Sequence, residues 1–178
     1  YREPTDGQLQ LRFFVDEGAE TAGAVSRVKA ILDEYDAVIV EEESIGKTYH
    51  VAVTFDGDVQ KFAYALEHGA KLIAIGSSLD IIKDIGTAQD VDGDYHISDH
   101  LGTHGIGHVR LATESDVKPE SAHPFWATGF ADIAIVHNGQ ITNYWKMRRR
   151  LEQRGFEFRT EHDSELIAVF VAAQMSRA

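Results

Sequence analysis

The chain has 178 residues, 43% of them hydrophobic and 26% charged, no cysteine and a formal net charge of −12. That length suits one domain with a real core, and without cysteine there can be no disulfide framework. The acidic balance argues against nucleic acid and anionic membrane as partners; with no apolar run near the ~20 residues that cross a bilayer and no signal-peptide pattern, a cytoplasmic protein is expected.

In chain order, residues 9–15 read as a strand, with Leu9, Leu11 and Phe13 alternating with Gln10 and Arg12. Residues 19–35 read as an amphipathic helix that presents Ala24, Val28, Ile31 and Leu32 on one face. A short strand is expected at 37–40, ahead of the acidic run Glu41-Glu42-Glu43, and an alternating strand at 49–55, closed by Asp56-Gly57-Asp58. Residues 59–68 form a predicted helix stopped by Gly69. A buried strand at 71–75 and a short helix at 78–85 complete a compact α/β unit over about 18–88. Residues 88–103 read as polar and irregular. Strands follow at 106–111 and 131–137, separated by a loop that holds Pro119 and Pro124. A helix is expected at 142–155, a short strand at 156–159, and a last helix at 163–175 with Leu166, Ile167, Phe170 and Val171 inward. No internal repeat or linker stands out.

Several features have a plain reading and a functional one. His96, His100, His104 and His108 recur every four residues, a spacing that presents metal ligands on one helix. Gly102, Gly105 and Gly107 argue against that helix, so no metal site is expected. The Asp90–Asp94 stretch lacks the glycine position and final glutamate of a calcium loop and reads as a solvated turn. The basic residues Lys146 to Arg150 read as a solvated helix face, the glutamates 41–43 as a charged strand edge, and Gly105-Ile-Gly107 as a weak phosphate-loop signal because it precedes a strand.

Asn138-Gly139 is a preferred turn dipeptide. Here it follows an apolar strand and is followed at once by a helix, so the Gly139 N–H and the Asn138 amide could converge as an oxyanion hole. Arg110 ends a strand, where it suits a carboxylate or a surface ion pair. Asp163 opens a helix, as an N-cap or as an acceptor for an ammonium group. An Arg for a carboxylate and an Asp for an ammonium are the minimum for gripping a free α-amino acid.

Five segments carry a family resemblance: Gly107-His-Val-Arg-Leu-Ala-Thr113, Ala122-His-Pro-Phe125, His137-Asn-Gly-Gln-Ile-Thr-Asn-Tyr144, Arg150-Leu-Glu-Gln-Arg-Gly-Phe156 and Thr160-Glu-His-Asp-Ser-Glu165. In order and spacing they resemble class II glutamine amidotransferase domains, which are N-terminal-nucleophile hydrolases. The likeness is close over about 104–175 and loose before it. It implies an α+β fold of the four-layer αββα sandwich type, with residues 1–178 as part of the domain and 18–88 as an α/β insert within it. It also implies that Arg110 holds the α-carboxylate of glutamine, that Thr113 lines the same pocket, that Asp163 takes the α-amino group, and that Asn138 and Gly139 hold the oxyanion.

The family's nucleophile is a cysteine at the mature N-terminus, whose α-amine, titrating near ~8, acts as base. This chain begins with Tyr1, contains no cysteine and lacks the family's early Arg-Gly…Asp-Ser-Ala-Gly stretch. About fifty residues are therefore expected upstream, by the family layout. The complete protein is expected to hydrolyse glutamine and pass ammonia to a synthase subunit or domain, in an oligomer and without cofactor or metal. The chain alone is expected to be inactive. Thr113-Glu-Ser and Ala122-His-Pro-Phe125 look nearest to the glutamate synthase-like branch. The alternatives are a degenerate, non-catalytic module that binds an amino acid or docks a subunit, and an unrelated metal hydrolase built on the histidines.

Overall fold

The computed structural model describes residues 7–15, 19–109 and 118–177. Its first half follows a β-α-β-β-α-β order: β1 (Gln8–Phe14), α1 (Ala19–Glu34), β2 (Val38–Ile45), β3 (Thr48–Thr54), α2 (Val59–Gly69) and β4 (Leu72–Gly76). The four strands make one antiparallel sheet in the order β2-β3-β1-β4, so each helix crosses over a strand that it does not join. Register places Leu9, Leu11 and Phe13 of β1 opposite Val53, Val51 and Tyr49 of β3. All six are buried, and α1 and α2 cover them with Val28, Leu32, Phe62 and Leu66. Each such side chain contributes about 1.5–3 kcal/mol, so this cluster supplies most of the cohesion of the first half.

Gly69 does not stop α2; it is the helix's last residue, and Ala70 is the cap. Its role is close approach, because a Cβ there would lie 2.8 Å from Ile31 Cδ1 of α1, while Arg27 Nε donates to its carbonyl at 2.9 Å. The strand expected at 37–40 is longer: β2 runs through the glutamates to Ile45 as the edge strand of the sheet, paired with β3 on either side of an irregularity at Val40, and Glu42 accepts bonds from Lys29 and Tyr49.

The other face of the sheet is crossed by residues 77–86, where the expected helix is absent. Tertiary partners hold this segment. Asp80 accepts a bidentate pair from buried Arg12, Nε at 2.8 Å and Nη2 at 2.6 Å, and Arg12 Nη1 also donates to Thr48 Oγ1. Burial pushes the Asp80 carboxyl up, but the Arg12 hydrogen bonds and charge outweigh it and hold the pKa below the usual range. The pair's contribution is therefore complete above the unfolded carboxylate pKa near ~4 and is lost as pH falls through the lower folded value. Asp80→Ala strands the Arg12 charge. The expected cost is about 2 kcal/mol, below that of a fully buried pair because Asp80 retains 29% side-chain exposure. Thermal unfolding should fall by roughly 4–8 °C; a Tm within 1 °C of the parent sinks the assignment.

Residues 88–95 form a helix, α3 (Ala88–Tyr95), and not a solvated turn; Thr87 and Asp90 close a reciprocal capping box around its first turn. The second half contains a two-residue hairpin, β5 (Phe125–Trp126) with β6 (Ala134–Ile135), then α4 (Tyr144–Glu152) and α5 (Asp163–Met175). The strands expected at 131–137 and 156–159 are mostly irregular, and 106–109 carries no strand. In 156–159 the N–H groups have no strand partner: Phe156 N donates back to the Leu151 carbonyl, Glu157 N to Tyr64 Oη and Arg159 N to Glu165.

The hairpin is tied to the sheet by Asp132, whose carboxylate accepts the N–H groups of Ser77, Ser78 and Leu79 while its own N–H bonds to the Ile75 carbonyl. α5 buries Leu166, Ala168, Val169, Ala172 and Ala173 against the hairpin and α4. Phe170 and Val171, expected inward, are 39% exposed. Arg148, read as part of a solvated face, bonds to Tyr144 Oη and the Thr160 carbonyl. Among the described residues, an antiparallel sheet, a hairpin and five α-helices make an α+β protein. Among the described residues no helix is long and apolar enough to cross a membrane.

Candidate active site

β6 runs into an exposed loop that holds Asn138 and Gly139 and ends where α4 begins at Tyr144, two residues later than expected. Gly139 packs close to its neighbour, since a Cβ there would sit 2.8 Å from His137 Nε2 and the ring would have to shift. The loop is anchored from across the fold: Ile141 N donates to Asp163 Oδ2 at 2.9 Å. Asp163 is thus not the N-cap of α5. His162 occupies that position without a side-chain cap bond, and Asp163 is the first helical residue. A carboxylate at this end of a helix is favoured by the helix dipole. The fold therefore ties the loop that follows Asn138 and Gly139 to Asp163 through Ile141. Arg110 and Thr113 lie outside the described residues.

Behind the loop is a group of imidazoles. His137 Nδ1 lies 3.8 Å from Asp163 Oδ1 and 3.4 Å from Ser164 Oγ. Ser164 Oγ is 2.9 Å from His123 Nε2. The His123 ring lies 4.6 Å from His108 and 4.8 Å, edge-on, from Phe125. Burial, then the neighbouring His108 and His162, push the His123 pKa down to about 4, so it is neutral near pH 7. Lys83 extends over the Phe125 ring at 5.2 Å. Burial, reinforced by Arg159 and opposed by Glu165, draws its amine down to about 7.

Glu165, two residues beyond Asp163 on α5, is only 2% exposed. Its Oε1 accepts Thr128 Oγ1 and Arg159 N, and its Oε2 accepts Thr160 N and Oγ1, all at 2.7–2.8 Å. Arg159 also bonds the Leu72 carbonyl, which ties the second half to β4. Its Nε is 2.9 Å from Glu67 Oε1, yet neither atom is in hydrogen-bond geometry. That misalignment fits the Glu67 carboxyl, which burial pushes up to about 7 against the pull of Arg159.

His96, His100, His104 and His108 do not share a helix, since α3 ends at Tyr95. Among the described residues, no three His, Cys, Asp or Glu side chains stand where they could hold a metal ion. Of two recesses of about 740 and 910 Å³, the first is lined by Glu67, Thr128, Arg159 and Thr160 and the second by Lys83, and neither includes Asn138, Gly139 or Asp163. The sequence reading passed over His123, His137, Ser164 and Glu165, although all four fall inside the quoted motifs. Their signal was position in those motifs; their roles needed partners remote in sequence.

Residues 108–178 match the glutamine amidotransferase domain. A putative glutamine amidotransferase of Methanothermobacter thermautotrophicus is 46% identical over 99 residues, which is 56% of this chain and 32% of that protein. The glutamine amidotransferase-like protein GlxB of Rhizobium meliloti is 38% identical over 120 residues, 67% of this chain and 39% of that protein. A glutamine–fructose-6-phosphate aminotransferase (isomerizing) of Methanothermobacter thermautotrophicus is 41% identical over 95 residues, 53% of this chain and 16% of that protein. The matches thus span about a third of the first two relatives. No solved structure matches the chain.

Proposed function

Starting from a chain whose residues 108–178 belong to the glutamine amidotransferase domain family, we propose that it forms the binding half of a glutaminase site. In this reading Asp163 takes the α-ammonium of glutamine, Arg110 its α-carboxylate, and Thr113 lines the pocket beside it. Asn138 and Gly139 stabilise the oxyanion. The observation that carries the reading is the Ile141 N to Asp163 Oδ2 bond at 2.9 Å, because it holds the oxyanion loop against the ammonium acceptor.

The nucleophile is a cysteine thiolate of the complete protein. It adds to the side-chain amide carbon, and the carbonyl oxygen becomes the oxyanion between Asn138 and Gly139. Collapse breaks the C–N bond, and ammonia leaves with a proton from the terminal amine. Water then hydrolyses the γ-glutamyl thioester to glutamate and free thiol. Ammonia passes to a synthase subunit or domain in a cytoplasmic oligomer. Thr113-Glu-Ser and Ala122-His-Pro-Phe125 support the glutamate synthase-like branch. The complete domain takes the four-layer αββα form, and residues 18–88 are an insert within it, of which β3 and β4 pair with β1 from just upstream.

The test is glutamine turnover by the full-length protein. Equimolar glutamate and ammonia are expected, and none from residues 1–178 alone. Glutamine binding without turnover by the full-length protein would identify a non-catalytic module instead. Turnover by the 178-residue chain would remove the need for an upstream cysteine.

A further inference from the structure

The imidazole of His137 stands between the two halves of the proposed site. Its Nδ1 edge faces Asp163 Oδ1 at 3.8 Å and Ser164 Oγ at 3.4 Å. Its Nε2 edge lies against Gly139, where a Cβ would come within 2.8 Å. The ring is mostly buried, with 25% of its side chain exposed. We propose that His137 is a positioning residue that couples the ammonium acceptor Asp163 to the oxyanion glycine Gly139, with Ser164 and His123 fixing its ring. The inference rests on the glutaminase reading for its kinetic consequence but not for its geometry.

Proton placement gives the arrangement a direction. The Ser164 hydroxyl lies between two ring nitrogens and can donate to only one of them. If it donated to His137, a bare Nδ1 would face the Asp163 carboxylate, lone pair against negative charge. The opposite arrangement has no such conflict: Ser164 donates to His123 Nε2 and accepts from the His137 Nδ1–H, which also points its positive end toward Asp163. His123 must then be neutral, with Nε2 bare, in keeping with its burial and with the neighbouring His108 and His162; the rings of His108 and Phe125 pack against it. The chain His123–Ser164–His137 thereby selects one tautomer of His137 and one orientation of its ring. A fixed ring in turn limits where Gly139 and its N–H can lie.

Two readouts on the full-length protein test this. The first is kinetic. His137→Ala should raise the KM for glutamine and lower kcat, each about tenfold, because it releases both contacts. His137→Asn restores a donor near the Nδ1 position and should recover KM more than kcat; His137→Gln, reaching the Nε2 position, should recover kcat more than KM. A merely structural residue would give parallel losses for both replacements, tracking the fall in Tm, and that result overturns the proposal. The second readout does not need activity. With ¹⁵N-labelled histidine and glycine, His137 should be the Nδ1–H tautomer at neutral pH. Ser164→Ala should then shift both the His137 ring nitrogens and the Gly139 amide. An Nε2–H tautomer in the parent protein, or a Gly139 amide unmoved by Ser164→Ala, overturns the coupling. Absence of glutamine turnover in the parent protein would sink the glutaminase reading, and the labelled spectra would still decide the coupling.

Discussion

Asn138→Ala in the full-length protein is expected to lower kcat for glutamine hydrolysis by roughly 10²–10³-fold while leaving KM within about threefold. The charge that Asn138 meets in the proposed site exists only in the tetrahedral intermediate, so the loss falls on the chemical step and spares ground-state binding. Folding should be little affected, because Asn138 is exposed in the loop after β6. Gly139→Ala is the less clean probe, since its Cβ would collide with His137 and disturb both halves of the site together. Steady-state kinetics with glutamine, beside Tm, read the difference. A KM rise with kcat intact would move Asn138 out of the oxyanion hole and into substrate recognition.

Glu165→Ala is expected to destabilise the fold by about 3–5 kcal/mol, a Tm fall of roughly 6–20 °C. Four donors converge on this one buried carboxylate, two from backbone N–H groups and two from threonine hydroxyls. Removing it leaves all four without an acceptor in a site that water reaches poorly, and unmade buried bonds cost more than made ones contribute. Glu165→Gln keeps the volume and one acceptor oxygen but turns an N–H₂ group toward donors, so it should recover less than half of the loss. The effect reaches beyond α5, because Arg159 and Thr160 are the residues pinned and Arg159 joins the second half to β4. Denaturant and thermal unfolding measure it. A loss under 1 kcal/mol for Glu165→Ala would mean that the four donors find other partners.

The parts of the fold that were legible from the residues are those with a local period. β1 reads as a strand because Leu9, Leu11 and Phe13 alternate with polar residues, and they are the ones buried under α1 and α2. α5 was expected at 163–175 and spans Asp163–Met175. Its inward face was misread because its central residues are nearly all apolar, so the sequence favours no side; contact with the hairpin and α4 buries Ala168, Ala172 and Ala173 and leaves Phe170 at the surface. The helix expected at 78–85 fails for the opposite reason. Its pattern allows a helix, but Arg12 and Asp132 hold the segment across the sheet.

The site divides along the same line. The sequence alone supplied the candidate groups: an amide and a glycine after a strand, a carboxylate opening a helix, no cysteine, and motifs whose order points to glutamine amidotransferases. Only the tertiary structure decided which groups meet. Ile141 and Asp163 are 22 residues apart, Thr128 and Glu165 are 37, and His123 and Ser164 are 41. No helical or strand period spans such distances. Those pairs form because α5 docks on the hairpin in one register, set by alanines that allow close approach and by a buried glutamate that accepts donors from only one alignment of the chain.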